Sequence, residues 1–549
     1  MLLGIDVGGT FTDAVAVADG RVLETVKVPT THDDLLVGIL AALDHIVSRC
    51  PRQISRVALS TTWVTNAVVE GKLDPVELLV MAGPGLNLSG LLPVTPRFLT
   101  GYVDHRGIQV QAPDDGELQQ RIPKTADSVY AVSGKFSVRN PDAEQQLNAW
   151  LKEHRQAEHV TLGGKLSGSL NFLRRTNGAY FNAAVWRRFK DFEAAINQAL
   201  AARDIIAPLV ILKADGGTMP LTAAGEMPVE AIFTGPAASV MGIQALTDCR
   251  GTMVSLDVGG TTTDLALWQD GQPLLAAGGA FVERYPTAVR AFQLLSVGVG
   301  GDSEVRLAGE EVVVGPLRRG PAMANGGTVP TLSDAMIVLE EASFGSRKLA
   351  EAAMDQLALP GLTVREKAET VLQAAARQVV VAIRQMLLRE ETKPVYRVAE
   401  ITQPVILDLQ GVIGVGGAAA PIAKRAAALL GAACVLPEHG EVANAIGAAV
   451  SRPTLEINLR ADTVAGRYSV GELGLEAALP VGVRTVAAVT DFAKQLLCQR
   501  ATELKMEQGE SEVVSLESFP VVKGFNRSGW IYQCRMQLTP GVLMRLEEA

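Results

Sequence analysis

The chain has 549 residues, of which 48% are hydrophobic and 20% charged, so it is expected to form a folded α/β protein of several domains rather than a disordered or fibrous one. A net charge of −9 without a Lys/Arg cluster argues against nucleic acid as a partner. The five cysteines are scattered, so neither a disulfide framework nor a zinc site is expected. Because the chain begins with a strand-like run and shows no apolar run of membrane-spanning length, we expect a cytoplasmic protein without a membrane partner.

A glycine turn between two strands opens the chain. Leu2–Val7 is apolar, two glycines follow, and Thr12–Ala18 resumes as a strand. Adjacent glycines let main-chain N–H groups approach an anion without a Cβ in the way. Asp6 would repel a phosphate unless a divalent cation or water lies between them. The pattern therefore predicts a phosphate-binding turn, although Gly-Gly-Thr after a strand also occurs in ordinary hairpins.

The next elements predict a first lobe and an insertion. A helix over Asp33–Cys50 and core strands at Val57–Ser60 and Val76–Met81 belong to a lobe over residues 1–83. Proline and charge then break the pattern, which indicates an inserted subdomain over residues 84–207 that returns to the first lobe.

The opening turn recurs in the middle of the chain. Ser255–Asp264 matches Gly4–Asp13 at seven of ten positions, including both aspartates and both glycines. Two copies indicate an internal duplication and make a functional turn more plausible than one copy does. The second copy lies in a predicted second lobe over residues 208–450, which carries a helical insertion.

A third glycine cluster follows this insertion. Val405–Leu409 reads as a strand, and Gly411–Pro421 as a turn that enters a helix. A dinucleotide fold has the same order, but its G-x-G-x-x-G spacing fits only loosely at Gly414, Gly416 and Ala419, and no acidic residue follows at the expected distance. A helix N-terminus with small side chains can equally bind adenosine and its phosphates. The candidate nucleotide-binding glycines are Gly414, Gly416 and Gly417.

Two helices carry almost no large side chains. Small residues at helical spacing permit close helix contact. A buried alanine-rich pair would look the same, but at these places in the chain we interpret the pair as a hinge between two lobes. The small residues are Ala237, Ala238, Gly242 and Ala245 in one helix and Ala443, Ala445, Gly447, Ala448 and Ala449 in the other.

Residues 451–549 predict a small C-terminal α/β domain. Its strands are expected near Tyr468–Leu479, Val513–Leu516 and Trp530–Leu538, with a helix near Val489–Met506.

The order of turns, small-residue helices and glycine cluster resembles the actin-like ATPase superfamily. Within it the chain is similar to the hydantoinase A/5-oxoprolinase family, which includes N-methylhydantoinase and acetone carboxylase β subunits. The resemblance covers roughly residues 1–450 and implies an α/β fold of duplicated ribonuclease H-like lobes around an ATP cleft. The segments that support it are 4–13, 60–72, 131–141, 166–184, 215–242, 257–267, 330–339 and 414–421.

The resemblance also implies a site for ATP and Mg²⁺. Asp6 and Asp257 would face each other across the cleft, act in catalysis and, with Asp264, hold the metal, and Asp257 would position or deprotonate a nucleophile. Asp264 could instead only cap a turn. Phosphoryl transfer needs placement and charge neutralisation rather than a reactive side chain. The phosphate cradle would consist of Gly8, Gly9, Thr10, Thr12, Gly259, Gly260, Thr261 and Thr262.

Four further residues are candidate substrate ligands. Thr62 and Asn66 resemble the second motif of the family, and their alternative is a helix N-cap. Arg174 and Arg175 could bind a substrate carboxylate, and their alternative is a solvated charge pair.

The family typically phosphorylates a carbonyl-type oxygen of a cyclic amide or ketone. The resemblance therefore implies an ATP-dependent amidohydrolase of the hydantoinase/oxoprolinase type that acts on such a small molecule. A B-type hydantoinase subunit is an expected partner, and oligomer formation is open. The alternative is an actin-like ATPase switch or activator that phosphorylates no small molecule. A sugar kinase is disfavoured by the middle motifs.

Overall fold

The structure is a computed structural model that describes residues 1–31, 35–88, 90–125, 128–309, 311–394 and 407–547. The predicted helix over Asp33–Cys50 and the predicted strand over Val405–Leu409 therefore lie partly outside the described residues.

The described strands and helices alternate along most of the chain. The strands are β1 (Leu2–Val7), β2 (Phe11–Ala18), β3 (Arg21–Pro29), β4 (Arg56–Thr61), β5 (Val76–Met81), β6 (Arg97–Phe98), β7 (Tyr102–Val103), β8 (Gln109–Gln111), β9 (Val129–Gly134), β10 (His159–Leu162), β11 (Leu209–Leu212), β12 (Thr218–Pro220), β13 (Thr252–Val258), β14 (Thr263–Gln269), β15 (Gln272–Pro273), β16 (Phe281–Val282), β17 (Tyr285–Pro286), β18 (Leu294–Val297), β19 (Val305–Ala308), β20 (Glu311–Val314), β21 (Leu409–Val415), β22 (Ala433–Val435), β23 (Glu456–Asp462), β24 (Arg467–Val470), β25 (Leu475–Ala478), β26 (Ser511–Lys523) and β27 (Asn526–Leu538). The α-helices are α1 (Leu35–Arg49), α2 (Trp63–Val69), α3 (Asp115–Arg121), α4 (Asp142–Arg155), α5 (Gly163–Leu166), α6 (Phe172–Ala201), α7 (Leu221–Ala224), α8 (Thr234–Leu246), α9 (Leu332–Val338), α10 (Arg347–Asp355), α11 (Val364–Glu391), α12 (Ala419–Leu430), α13 (Ala443–Val450) and α14 (Val486–Glu503).

Two mixed sheets have the same plan. In the first, the antiparallel strands β1, β2 and β3 continue on the other side into β4 and β11, which run parallel to β1. In the second, β13 pairs with β14 and β14 with β18 in antiparallel fashion, while β21 and β22 continue in parallel from β13. The α/β class is thus confirmed, and the repeated turn belongs to a repeated sheet.

An Asp-Gly turn is also repeated, in the hairpin that follows each glycine turn. The β2–β3 turn has positive φ at Asp19 (53°) and Gly20 (73°), and the β14–β15 turn has positive φ at Asp270 (49°) and Gly271 (80°). Asp-Gly with both residues at φ > 0 is favoured in two-residue hairpins, because this turn matches the right-handed twist of the strands.

The inserted subdomain has its own sheet, in the order β10-β9-β5-β6. Its β5 is the strand Val76–Met81, which the sequence placed in the first lobe, and that placement is wrong. β5 pairs in parallel with β9 and β6. Because parallel strands need a crossover connection, β5, β9 and β10 form a unit with the helices between them rather than an extension of the first sheet.

The two helices of small residues cross in direct main-chain contact. A Cβ added to Gly447 would lie 1.9 Å from the Ala238 carbonyl oxygen, and one added to Gly242 would lie 2.0 Å from that of Ala443. α8 packs with Met253 and Trp268 of the second sheet, whereas α13 packs against the first sheet. The predicted close contact is confirmed. The helix α8, which follows strands β11 and β12 of the first sheet, packs on the second sheet, and α13, which follows β21 and β22 of the second sheet, packs on the first.

The C-terminal domain is a sheet in the order β25-β24-β23-β27-β26, with α14 on its apolar face. The first strand, Glu456–Asp462, was not predicted although its buried positions alternate, and the predicted strands cover only part of the β26–β27 hairpin, because the exposed residues of β26 give little periodic signal.

By length and composition α11 could cross a membrane, contrary to the sequence expectation. Half of its apolar window is buried inside the protein, where it packs against α9, α10 and α12. A core helix passes the same length and composition test.

Candidate functional site

Each copy of the repeated motif forms the same closed turn. The Gly8 N–H donates to the Phe11 carbonyl oxygen at 3.0 Å, and the Gly259 N–H donates to that of Thr262 at 3.0 Å. The second glycine of each pair is partly or fully exposed, and a Cβ on Gly9 would meet nothing within 4 Å. The two turns therefore present main-chain groups toward open space at the ends of β1 and β13.

The two turns lie directly against each other. A Cβ on Gly260 would lie 3.2 Å from the Thr10 hydroxyl oxygen and 3.1 Å from Asp302 Oδ2. Arg318 Nη2 donates to Asp302 Oδ2 at 2.8 Å and to the Thr10 hydroxyl at 3.4 Å. A side chain from the second half thus contacts the turn of the first half, and it places a guanidinium group beside both turns.

The two aspartates that precede the turns lie close to one amide. Asn444 Nδ2 on α13 donates to Asp257 Oδ2 at 3.2 Å. Loss of hydration raises the pKa of Asp6 to about 7, against the smaller opposing effects of Ser60 and Asn444. Loss of hydration, then the charges of Asp264 and Asp6, raise the pKa of Asp257 to about 7. The structure therefore brings Asp6 and Asp257 together, as the resemblance implied.

A second carboxylate lies opposite each of these aspartates on the neighbouring strand. Asp13 pairs with Asp6 and is held by Lys27, whose Nζ lies 2.7 Å from Asp13 Oδ1. Asp264 pairs with Asp257, and burial raises its pKa while the Ser296 hydroxyl lowers it. Residues directly opposite in a strand pair share a face, so Asp264 adds negative charge beside Asp257.

The third glycine cluster reaches Asp257 at one residue. Gly416 has φ 96°, and a Cβ there would lie 2.8 Å from Asp257 Oδ1. Gly417 is next to it and faces open space. Gly414 lies within β21, where a Cβ would be 2.7 Å from that of Ala423. The predicted turn is therefore shorter than expected, and Gly414 serves close strand–helix packing instead of lining the cleft.

The predicted residues Thr62 and Asn66 lie beside the first turn, whereas Thr12, which was predicted to line it, does not. The Thr62 N–H and hydroxyl both donate to the Val7 carbonyl oxygen at 3.3 Å, and Asn66 Nδ2 donates to the Thr62 hydroxyl at 3.3 Å. Thr12 is fully buried, with its hydroxyl 3.1 Å from that of Thr30. Because it faces the interior, Thr12 holds β2 to the segment after β3 and does not line the phosphate turn.

Arg174 and Arg175 serve the fold, which corrects their predicted substrate role. Arg174 Nη1 donates to the carbonyl oxygens of Gly279 at 3.1 Å and Thr287 at 2.9 Å. Arg175 is 1% exposed, donates to the Gly134 carbonyl oxygen at 2.7 Å, and has a pKa lowered to about 10 by burial. The hydrogen bonds of both guanidinium groups therefore go to main-chain carbonyl oxygens, and Arg175 is too deeply buried to meet a substrate.

The donor set at the cleft suits a magnesium ion that arrives with phosphate. Within the described residues, no group of three or more His, Cys, Asp and Glu side chains could hold a metal ion by itself. Mg²⁺ commonly takes one or two carboxylates and completes its shell with water and phosphate oxygens. Among the described residues the buried Oδ1 of Asp6 has no hydrogen-bond partner, and burial raises the pKa of both Asp6 and Asp257 to about 7, so that a bound cation would favour their charged forms.

The residues that sequence reasoning missed are polar side chains in unusual surroundings. Asn444 is the one amide in the run ANAIGAAV, and Ser239, which lowers the pKa of Asp257, is the one hydroxyl in the interior of α8. A single polar residue in a stripe of small residues was the available signal. Arg318 gave none, because its loop shows no periodicity.

Together the repeated sheets, facing turns and paired aspartates define an α/β protein with two mixed sheets of the same plan and a polar site where their glycine turns meet. The chain belongs to the hydantoinase/oxoprolinase family: the hydantoinase/oxoprolinase N-terminal region matches residues 2–155 and the hydantoinase/oxoprolinase domain matches residues 175–457.

Curated relatives are similar at modest identity. The acetophenone carboxylase gamma subunit of Aromatoleum aromaticum is 26% identical over 390 residues, which cover 61% of this chain and 53% of the relative. The caprolactamase subunit alpha of Pseudomonas jessenii is 26% identical over 487 residues, which cover 79% of this chain and 68% of the relative. The chain thus spans about half the length of the first relative and about two thirds of the length of the second.

Two solved structures share the fold over the whole chain. The nucleotide-free acetone carboxylase structure superposes with a TM-score of 0.72 at 17% identity, covering 100% of this chain and 88% of that one. The ATP-dependent caprolactamase of Pseudomonas jessenii gives 0.70 at 19% identity, with the same coverage.

Proposed function

We propose that the chain binds Mg·ATP between its two glycine turns and uses it to phosphorylate a carbonyl-type oxygen of a small cyclic amide or ketone. The observation that carries this proposal is the meeting of the turns, with Thr10 beside Gly260 and both aspartates around Asn444. Family membership and the equal plan of the two sheets support the further proposal that the halves are actin-like ATPase lobes.

Each residue then has a task set by its position. N–H groups of Gly9 and Gly260 and the hydroxyls of Thr10, Thr261 and Thr262 would bind the β- and γ-phosphates, while the N–H groups of Gly8 and Gly259 close the two turns. Asp6 and Asp257 would hold Mg²⁺, which neutralises phosphate charge, with Asp264 behind Asp257. Gly416 and Gly417 would border the rest of the nucleotide. Preorganised N–H donors and charges are the main contribution a protein makes to phosphoryl transfer.

The relatives support the proposed substrate class. One curated relative is named for caprolactam, a cyclic amide, and another for acetophenone, a ketone. Transfer of the γ-phosphoryl group breaks its bond to ADP and forms a bond to the carbonyl oxygen, while a lactam loses its N–H proton, or a ketone its α-proton, to solvent, so that an imidoyl or enol phosphate results. For a lactam, phosphate would then be the leaving group when the ring opens. Because Asp257 would hold Mg²⁺, its task would be to position the reacting groups. We also propose a second subunit as partner, because both relatives are subunits.

The test measures phosphate release from Mg·ATP against a panel of lactams, hydantoins and ketones. We expect one compound class to raise the rate at least about tenfold above the basal rate, because enzymes place catalytic groups only when substrate is bound. Asp257→Asn should lower the stimulated rate of phosphate release about 100-fold or more. Asp19→Asn, at an 87% exposed side chain on the β2–β3 turn, is the matched control and should leave it unchanged.

Two results would reject this proposal. A slow rate that no compound changes would favour the ATPase switch, in which hydrolysis drives lobe movement alone. No binding of Mg·ATP to the wild-type chain by calorimetry would remove the nucleotide itself from the function.

A further inference from the structure

A cavity lies away from the glycine turns. It has a volume of about 500 Å³ and is enclosed by three parts of the chain. The inserted subdomain contributes Arg139 and the loop 167–170, the second half contributes residues 275–290, and the C-terminal sheet forms the third wall. No residue of either turn lines it. Cavities of this size at domain junctions are common ligand sites.

The C-terminal sheet presents a polar face to this cavity. Along β23 the residues alternate, so that Ile457 and Leu459 are buried against α14, while Glu456, Asn458 and Arg460 point the other way and are half-buried. On β27, Arg535 lies directly opposite Asn458. A polar sheet face covered by other parts of the protein is costly unless its groups find partners.

Positive charge exceeds negative charge around the cavity. The lining contains four arginines, Arg139, Arg290, Arg460 and Arg535, and two glutamates, Glu456 and Glu517. Arg290 and Arg535 share one carboxylate, with Glu456 Oε2 at 3.1 Å and 2.7 Å. Arg460 is paired with Asp462 at 3.2 Å.

Arg139 has no such partner. Among the described residues, its guanidinium makes no hydrogen bond or ion pair, and its recorded contact is the face of the Phe136 ring at 5.5 Å. The residue is half-buried, and its pKa is lowered by burial and then by the charge of Arg460, against the attraction of Asp104. Two guanidinium groups that repel each other at a cavity wall leave a place for an anion between them.

The same cavity also has uncovered apolar surface. Leu170, Leu275 and Val514 line it and are 43%, 37% and 39% exposed. A free inorganic anion would use the arginines and leave this surface in water. A ligand with both a charged and a hydrocarbon part would cover both.

From this juxtaposition we propose that the cavity binds a small organic carboxylate, with its carboxylate between Arg139 and Arg460 and its hydrocarbon body against Leu170, Leu275 and Val514. Arginine binds carboxylates through paired N–H donors, which explains why one unpaired guanidinium faces the cavity. The Ser167 and Ser169 segment and the Asn458 amide supply further polar groups on the wall. This inference does not depend on the proposed reaction with ATP.

The test is calorimetry on the full chain, without nucleotide, using benzoate, glutarate and propionate as probes and benzamide as the neutral counterpart of benzoate. We expect benzoate or glutarate to bind and benzamide to bind at least about tenfold more weakly, since it lacks the charge. Arg139→Gln and Arg460→Gln should each weaken carboxylate binding about tenfold or more. Arg250→Gln, at an 87% exposed arginine paired with Asp248, is the matched control and should bind as wild type does.

Several outcomes would overturn the proposal, and one further variant keeps it testable if the arginine variants misfold. No binding of any carboxylate at about 10 mM, or equal binding of benzamide and benzoate, overturns it. Unchanged affinity in a folded Arg139→Gln variant overturns the placement of the carboxylate. If the arginine variants fail to fold, Leu275→Glu decides, because this partly exposed position accepts a charge, which should repel the probe and abolish binding. Asp257→Asn should leave carboxylate binding intact, which separates this site from the nucleotide cleft.

Discussion

The two glycine turns have the same hydrogen-bonded closure but are supported in different ways. The first is held by the end of its own sheet, because the Thr30 hydroxyl donates to the Gly8 carbonyl oxygen at 2.9 Å and the Thr30 N–H to that of Thr10 at 3.0 Å. The second is held by the segment after β18, since the N–H groups of Gly301 and Asp302 donate to the carbonyl oxygens of Gly259 and Gly260 at 2.9 Å and 2.7 Å. The same motif therefore specifies a local shape, and distant segments supply its rigidity.

The charges behind the turns differ as well. Asp13 has a lysine partner at 2.7 Å, whereas Asp264 has a serine hydroxyl beside it and adds its charge to Asp257. The second half consequently carries more uncompensated negative charge than the first. A bound cation would therefore neutralise more negative charge beside Asp257 than beside Asp6.

The largest expected effect tests whether both turns act on one ligand. Asp6→Asn and Asp257→Asn should each reduce substrate-stimulated phosphate release by about 100-fold, because each removes a carboxylate from one shared ion. The double variant should lose little more than either single variant, since the two residues act as a unit. Full activity in Asp6→Asn would mean that the second turn works alone.

The next effect tests how firmly the helix contact joins the halves. Gly447→Val should lower the free energy of unfolding by about 3 kcal/mol, because even a Cβ would lie 1.9 Å from the Ala238 carbonyl oxygen. Urea unfolding followed by circular dichroism measures it. The control is Gly482→Val, where a Cβ would meet nothing within 4 Å and the change should stay within about 0.5 kcal/mol. Equal stability of both variants would contradict the close contact.

The third effect concerns pH and the nucleotide-free protein. The pKa values of Asp6 and Asp257 rise from 3.8 to about 7 on folding, so the native state keeps protons that the unfolded state has released. Stability should therefore fall as pH rises from about 4 to about 7. Asp257→Asn should flatten this slope and stabilise the protein by about 1 kcal/mol at pH 8. Urea unfolding at pH 5 and pH 8 checks it, and a wild-type stability that rises across this range would contradict the prediction.

The smallest expected effect compares how much the partners of Asp13 and Asp264 contribute to stability. Lys27→Met should cost about 1 kcal/mol of stability, because it leaves the part-buried Asp13 carboxylate without its cation. Ser296→Ala should cost less, since it removes one hydroxyl beside Asp264. Thermal unfolding of both variants measures the two losses of stability. Equal losses would contradict the difference in charge compensation between Asp13 and Asp264.

The sequence predicted the parts that depend on local pattern. The duplicated turn, the small-residue helices and the α/β class follow from motifs and periodicity over about ten residues each. The opposition of Asp6 and Asp257 came from the family resemblance, because no local pattern places two distant strands face to face.

The errors arise where long-range packing decides the role of a residue. Arg175 looked like a free charge, but the carbonyl oxygens that bury it come from loops far from its own helix. Gly414 looked like part of a turn, but its missing side chain makes room for Ala423 within a strand–helix contact. Asn444 reaches Asp257 across 187 residues of chain, a distance that no sequence window covers.

The crossing of α8 and α13 has a consequence for the chain as a whole. If the backbone were cut in the segment between α8 and β13, the N-terminal fragment would lose the helix that covers Val15 and Val17, and the C-terminal fragment would lose the one that covers Met253 and Trp268. Each fragment would expose an apolar sheet face and neither would hold its shape alone. Mixed together, they should rebuild the native molecule by mutual exchange of helices, so that fragment complementation becomes a direct measure of how the two halves depend on each other.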